Sequence, residues 1–322
     1  MSVRDATRPV LAPFEQLPYE ALPERPWRPH PFHEAETADV VIDSQPFGRL
    51  STRVTSYGPP AAPPLLLVHG LMTAGYSWRY LLATSLAERH RLVIPDLPGC
   101  GRSAPLGDHR PTAPALATFI GELQAALGIE GCAAVGNSLG GYVCLRRALT
   151  HPASFERLAV IHAPVKADAR LVGLHVAIRV PGVAAVLRRV VRHDPYRWAH
   201  RNVHYNDETL KSREEVREYG EPLASAAGAR SFTSWLRDAL DPRDLRAFAR
   251  ELERGRDAGT PLRIPLQLVY AREDPTVSPD NGERLGELLP DAEFHWLEHS
   301  SHFAQVDSPE RLTALLLAFL AR

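Results

Sequence analysis

Among the 322 residues, the segment with the clearest chemical meaning is Gly136-Asn137-Ser138-Leu139-Gly140. It follows an apolar run, Cys132-Ala133-Ala134-Val135, and precedes a helix-compatible stretch from Gly141 to Thr150. A serine between a strand and a helix sits on a sharp, strained turn that pushes its Oγ clear of the backbone. Side chains two residues to either side would collide across that turn, so glycine is favoured at both places. The N–H of Leu139 then falls at a helix N-terminus, where partial positive charge can hold a developing oxyanion. The plainer reading is a structural serine in a strand-to-helix turn.

A nucleophilic serine needs a base, and the base needs an acid to orient it. Behind a turn of this kind the acid comes first along the chain and the histidine second. Leu266-Gln267-Leu268-Val269-Tyr270 reads as a buried strand, and the loop after it carries Asp274. Catalytic groups gather at such carboxyl ends in open α/β sheets. A further strand candidate, Glu293 to Leu297, leads to Ser300-Ser301-His302-Phe303. His302 would take the Ser138 proton and later give it to the leaving group, while Asp274 would hold the imidazole tautomer. Glu273 and Asp168 are rival acids, and His299 is a rival base. Upstream, Leu65-Leu66-Leu67-Val68 opens onto His69-Gly70-Leu71-Met72. The loop after that strand supplies the second oxyanion N–H, assigned here to Leu71, with His69 orienting the loop.

One more strand candidate, Leu92-Val93-Ile94, runs into Asp96-Leu97-Pro98-Gly99-Cys100-Gly101-Arg102-Ser103. With the His69-Gly70 turn, the Ser138 turn, the Glu273-Asp274-Pro275 loop and the His302 segment, five signals fall in one order. On these residues the chain resembles the α/β-hydrolase fold family, over roughly residues 40 to 320. The resemblance implies a mostly parallel eight-stranded sheet with helices on both faces. It implies nucleophile Ser138, acid Asp274, base His302 and backbone oxyanion donors Leu71 and Leu139. Asp96, Gly99, Gly101 and Ser103 match a turn that is mainly structural in the family.

The elements that must position these groups can be read along the chain. Val40 to Asp43 and Leu50 to Tyr57 read as an opening hairpin. Helices are expected over Trp78 to Arg89, about 112 to 127, and Leu139 to Thr150, with Leu158 to Ile161 as the sixth strand. Such alternation implies a parallel sheet. It stops after Ala163. Residues 163–262 read as a helical cap inserted after the sixth strand, above the strand ends. It is broken at Pro181-Gly182, Asp194-Pro195 and Asp241-Pro242. Residues 36–162 and 263–322 form the core, and residues 1–35, rich in proline, form an extended arm.

Met72, Trp198, Tyr205, Trp235 and Phe303 are candidates for lining a substrate pocket, with burial in a core as the competing reading. From Ala163 to His204 the chain carries eight Lys/Arg against Asp168 and Asp194, a net +6, interleaved with apolar residues from Leu174 to Val191. That pattern fits attraction of an anionic substrate, docking to a lipid surface, or a solvated helix face. His200 and His204 have metal-ligand spacing but lack a Glu and a third ligand.

A formal net charge of −1 recruits neither nucleic acid nor an anionic membrane globally. Three cysteines give no disulfide framework. No apolar stretch of signal-peptide or membrane-spanning length is visible, so a soluble cytoplasmic protein is expected, with oligomeric state open. The expected activity is hydrolysis of a carboxylic ester or other small acyl compound, apolar or anionic, without metal or organic cofactor. A serine nucleophile argues against the dehalogenase and epoxide-hydrolase branches of the fold, which need a carboxylate. Two alternatives stand beside it: a C–C hydrolase acting on a ring-cleavage dienoic acid, and a non-catalytic ligand-binding member of the fold.

Overall fold

A computed structural model describes residues 8–260, 262 and 264–322. Residues 1–7 of the arm, and positions 261 and 263 at the end of the insertion, lie outside the described residues. Eight strands form one sheet: β1 (Glu36–Ser44), β2 (Gly48–Tyr57), β3 (Pro64–Val68), β4 (Arg91–Pro95), β5 (Ala133–Asn137), β6 (Leu158–Ile161), β7 (Leu266–Ala271) and β8 (Glu293–Leu297). Their spatial order is β1-β2-β4-β3-β5-β6-β7-β8. The opening hairpin is antiparallel and joins β4 antiparallel; every later pairing is parallel.

This order has a mechanical consequence. From β3 the chain steps outward to β4, then crosses back over β3 to lay down β5 on the other side. The winding direction therefore reverses between β3 and β5. In open α/β sheets a crevice forms at such a reversal, outside the carboxyl ends. The residues that follow β3 and β5 are the Leu71 loop and Ser138.

Alternation along each strand separates two cores. Leu65 and Leu67 of β3 join a cluster with Leu86 of α1 (Ser85–Arg89) and with Leu312 and Leu316 of α12 (Pro309–Leu320). Leu66 and Val68 face the opposite cluster, with Leu116 and Ile120 of α2 (Ala113–Leu127), Val143 of α3 (Leu139–Thr150) and Leu285 of α10 (Asp280–Leu288). Helices thus cover both faces. One expected helix does not form as read. Trp78 to Arg89 is broken into two 3-10 turns, Gly75–Trp78 and Leu81–Ala83, and the short α1. The break is at Thr84, whose extended backbone (φ −112°, ψ 168°) ends the turn while its Oγ accepts from the Leu86 N–H and caps a new helix.

Between β6 and β7 lie, among the described residues, six α-helices: α4 (Ala169–Ala177), α5 (Val183–His193), α6 (Pro195–Asn202), α7 (Arg213–Ala224), α8 (Ala226–Asp238) and α9 (Pro242–Asp257). Asp194 and Asp241 each cap the helix that follows and precede a proline at its first turn, which explains two of the expected breaks. The insertion is bolted to the sheet by polar groups. Trp235 Nε1 donates to the Pro98 carbonyl at 3.0 Å, and the Tyr142 hydroxyl of α3 donates to Asp244 of α9 at 2.5 Å. Arg79, from the segment after β3, meets Glu215 of α7 at 2.5 Å with both side chains buried. The Tyr205 hydroxyl donates to the other Glu215 oxygen at 2.8 Å, and the Arg79 guanidinium lies 4.5 Å from the Tyr80 ring centroid. The proline-rich arm crosses this seam. Its Phe14 N–H donates to the Asn206 carbonyl, and the Arg213 and Glu214 amides donate to the carbonyls of Pro23 and Glu24.

Removing one partner of a buried ion pair leaves the other charge uncompensated. Arg79→Met is therefore expected to destabilise the protein by about 3–5 kcal/mol, read as a lowered Tm. The double variant Arg79→Met/Glu215→Leu is expected to recover much of that loss. Equal Tm for the single variant and the wild type would show that the pair does not hold the seam.

Candidate active site

Ser138 stands between β5 and α3 with φ 55° and ψ −123°, outside the helical and extended regions. The turn closes because its flanks have no side chains. A β-carbon on Gly136 would meet the Gly141 backbone nitrogen at 2.6 Å, and one on Gly140 would run into the carbonyl oxygens of Val68 and His69. Leu139 opens α3, so its N–H has no acceptor within the helix. Gly70 lies against the nucleophile: a β-carbon there would meet Ser138 Cβ at 2.9 Å. The Leu71 loop is pinned around it. His69 Nδ1 donates to the Gly70 carbonyl at 2.8 Å, Thr73 Oγ1 donates to the same oxygen at 3.1 Å, and His69 Nε2 accepts from the Leu97 N–H at 3.0 Å. These contacts define a neutral ring, and burial lowers its pKa accordingly.

His302 Nδ1 lies 2.6 Å from Asp274 Oδ2, with both side chains buried. The other Asp274 oxygen accepts from the amides of Thr276 and Val277 at 2.7 and 2.9 Å. Burial opposes the Asp274 charge, but the facing His302 imidazole and these hydrogen bonds outweigh it and hold the carboxyl below its ordinary range. An ionised Asp274 fixes the proton of His302 on Nδ1 and leaves Nε2 as the basic nitrogen. The rival acid Glu273 instead accepts from the Asn206 side chain at 2.8 Å, and Asp168 caps α4.

Sequence reasoning missed several residues that hold this arrangement. Asn137 Nδ2 donates to the His302 carbonyl at 3.1 Å, and Gln305 Nε2 donates to Asn137 Oδ1 at 3.4 Å. The Ser138 turn and the His302 loop are thereby tied through the serine's own neighbour. His162, the first residue past β6, has its ring centroid 5.4 Å from that of His302. Its Nε2 accepts from the Ala271 N–H at 2.7 Å, and burial pushes its pKa down to about 4. It is a neutral wall behind Asp274 and His302. Its place at a strand's carboxyl end was the available signal. His162, Asp274 and His302 are the cluster of metal-type ligands found among the described residues. His162 Nε2 and both Asp274 oxygens are already engaged by backbone amides and His302, while His162 Nδ1 is buried without a partner. His200 and His204 are not brought together on a shared ligand: His200 Nε2 faces the Leu17 carbonyl and His204 Nδ1 faces Glu208.

Strain marks the same region. Among the described residues five non-glycines have positive φ: Phe14, Met72, Ser138, His162 and His299. All but Phe14 follow the carboxyl ends of β3, β5, β6 and β8. Backbone held in such regions persists only where surrounding structure imposes it, and it concentrates at functional sites.

Beside the Leu71 loop a small cavity of about 40 Å³ lies between core and insertion. Met72 and Trp235 line it, with Leu71, Leu223, Phe232 and Glu218. Trp198 stands behind Phe232, edge to face at 6.1 Å. Tyr205 and Phe303 do not line it. They pack against each other at 5.5 Å in a separate buried cluster, and the Tyr205 hydroxyl is engaged by Glu215. Phe303 also sits edge-on to the His302 ring at 5.4 Å.

The fold agrees with the comparisons. The family model described as alpha/beta hydrolase fold matches residues 63–309, so the chain belongs to the α/β-hydrolase family. It is 29% identical over 272 residues to the RutD protein of Yersinia enterocolitica, whose name proposes carbamate hydrolysis, covering 83% of this chain and 90% of that protein. It is 28% identical to the pimeloyl-[acyl-carrier protein] methyl ester esterase of Aeromonas hydrophila, covering 84% of this chain and all of that one (100%). Among solved structures, Cfl2 from Burkholderia cenocepacia superposes with a TM-score of 0.73 at 20% identity, covering 92% of this chain and 98% of the other. The names of the first two relatives both state hydrolase chemistry. No helix among the described residues is long and apolar enough to cross a membrane.

The base loop carries a titratable clasp. Asp307 accepts from the Ser301 N–H at 2.8 Å, the Ser301 hydroxyl at 2.5 Å and the Asn206 N–H at 3.0 Å. Burial pushes its carboxyl up to about 7, although these donors favour the charged form. An Asp raised in the folded state binds a proton there that the unfolded chain has already released. Stability from this group is therefore greatest near its ordinary value of 3.8 and falls as pH rises towards about 7. The Tm of the wild type is expected to decline over that window and that of Asp307→Asn to decline less. Parallel curves would assign the slope to other groups.

Proposed function

We propose that the protein is a serine hydrolase of small carboxylic esters working through an acyl-enzyme. Ser138 Oγ attacks the carbonyl carbon while His302 Nε2 takes its proton, and Asp274 stabilises the imidazolium. The amides of Leu71 and Leu139 receive the oxyanion. His302 returns the proton to the departing alcohol, then takes one from a water that attacks the acyl-enzyme and gives it to Ser138 Oγ as the acid leaves. The reading is carried by one observation: a buried His302–Asp274 pair at 2.6 Å on a loop tied through Asn137 to a strained serine turn.

The helical insertion acts as a cap that shapes the pocket. Lining residues of the cavity include no lysine, arginine or histidine, and Glu218 adds negative charge at its wall. Such a surface favours an apolar, uncharged acyl or alcohol group over a dienoic acid. One relative, 27% identical over 269 residues, is named a 2-hydroxy-6-oxononadienedioate/2-hydroxy-6-oxononatrienedioate hydrolase, which makes dienoates the informative control.

The direct test is turnover of p-nitrophenyl esters from acetate to long acyl chains. Wild type is expected to hydrolyse the shorter members, and Ser138→Ala to lose about 10⁴-fold or more in kcat. A folded wild type inactive on every ester, or a Ser138→Ala variant as active as wild type, would end the reading. Phe232→Ala is expected to widen the cavity and shift the optimum towards longer chains. An unmoved optimum would place the acyl group elsewhere.

A further inference from the structure

Exposed apolar side chains and an excess of cations run along the segment of the first two insertion helices. Among the described residues seven large apolar side chains are exposed, and five of them are Leu174, Val176, Val180, Val186 and Val190, the other two being Val10 and Val41. In the sequence these residues alternate with arginines, a pattern that fits attraction of an anionic substrate, docking to a lipid surface or a solvated helix face. Of the interleaved set only Ile178 and Val191 are fully buried. The core does not need the others: Val191 and Leu187 of α5 already pack against Phe232 and Leu236 of α8. On the opposite side of α5, Val186, Arg189, Val190 and His193 recur at helical spacing along one exposed stripe. Val186 is 64% exposed and Val190 52%. Scattered exposed valines are ordinary, but Val186 and Val190 sit one turn apart on the same face of α5.

Cations frame this stripe. An open cleft between α5 and α8 is lined by Arg188, Arg189, Arg192, His193 and Arg230 and by no carboxylate. Arg188 and Arg192 donate to uncharged acceptors, Thr233 Oγ1 and the Ala224 carbonyl. The nearby carboxylates are engaged: Asp238 and Asp241 face Arg179, while Asp168 and Asp194 cap helices.

We propose that the exposed face of α5 docks onto an anionic lipid surface. The valines would enter the boundary between headgroups and acyl chains, and the guanidinium groups would meet lipid phosphates. A free anion would satisfy the arginines but leave the valines in water, whereas a lipid surface satisfies both. The protein would lie on such a surface and not span it, and its helical insertion would face the lipid.

The experiment is co-sedimentation of the full chain with vesicles of phosphatidylcholine alone and of phosphatidylcholine mixed with phosphatidylglycerol. The wild type is expected to sediment with the mixed vesicles at low salt, much less with the neutral ones, and to be released as salt rises. Val186→Asp/Val190→Asp and Arg189→Glu/Arg192→Glu are each expected to lower the partition coefficient about tenfold, with the circular-dichroism melt of the wild type retained. Failure to bind the mixed vesicles overturns the proposal, whether or not an acidic protein binds the same face. So does equal binding to both vesicle types, or wild-type binding by both folded variants. Since the readout is partition and not turnover, it stands or falls separately from the ester hydrolase reading.

Discussion

Close contact between two backbones sets the geometry of everything at this site. The turn after β5 presses its Gly140 onto the carbonyls that end β3, and it folds back on itself at Gly136 and Gly141. β3 and β5 are parallel neighbours, with Val68 opposite Gly136. Only a turn without β-carbons at its flanks can sit there, and only that turn holds Ser138 at φ 55°. The Leu71 loop, the start of α3 and the side chain of Ser138 are consequences of one packing constraint. Loss of that contact would release all three together.

Around this centre the electrostatics are arranged by burial as much as by charge. His162 and His69 are kept neutral by their surroundings, and each accepts a backbone N–H on Nε2. The Asp274 carboxylate is lowered by His302 and by the amides of Thr276 and Val277. Neutral histidines beside an ionised acid leave His302 as the imidazole placed to accept a proton. Hydrogen bonds through Asn137, Gln305 and Asp307 then fix the loop that carries it.

The insertion meets the core through chemistry of another kind. Its inner side is held by the buried Arg79–Glu215 pair, the Trp235 indole and the arm that crosses the seam. A desolvated ion pair contributes little net stability but strongly penalises misalignment. It therefore fixes how α7 sits over the Leu71 loop and so shapes the cavity. The outer side has no such partner, and its valines and arginines face solvent.

Local sequence by itself determined most of the sheet. Strands β3 to β8 are short apolar runs bounded by turn residues, and the proline and Asp breaks of the insertion are helix caps written into adjacent residues. Ser138, Asp274 and His302 were legible because each follows such a run, and a strand's carboxyl end is a position that local pattern reveals. Tertiary structure decided what depends on who lies opposite. Nothing near Thr84 in the sequence announces that the expected helix from Trp78 would break there. Nothing in Tyr205 or Phe303 tells a pocket from a core, since both use aromatic side chains, and only Glu215 engages the Tyr205 hydroxyl. His162 and Asn137 belong to the site through contacts across more than 100 residues of chain. Likewise the apolar spacing of α5 is the same whether its valines are covered or bare. Periodicity records which residues share a face, and only packing decides whether anything lies against it.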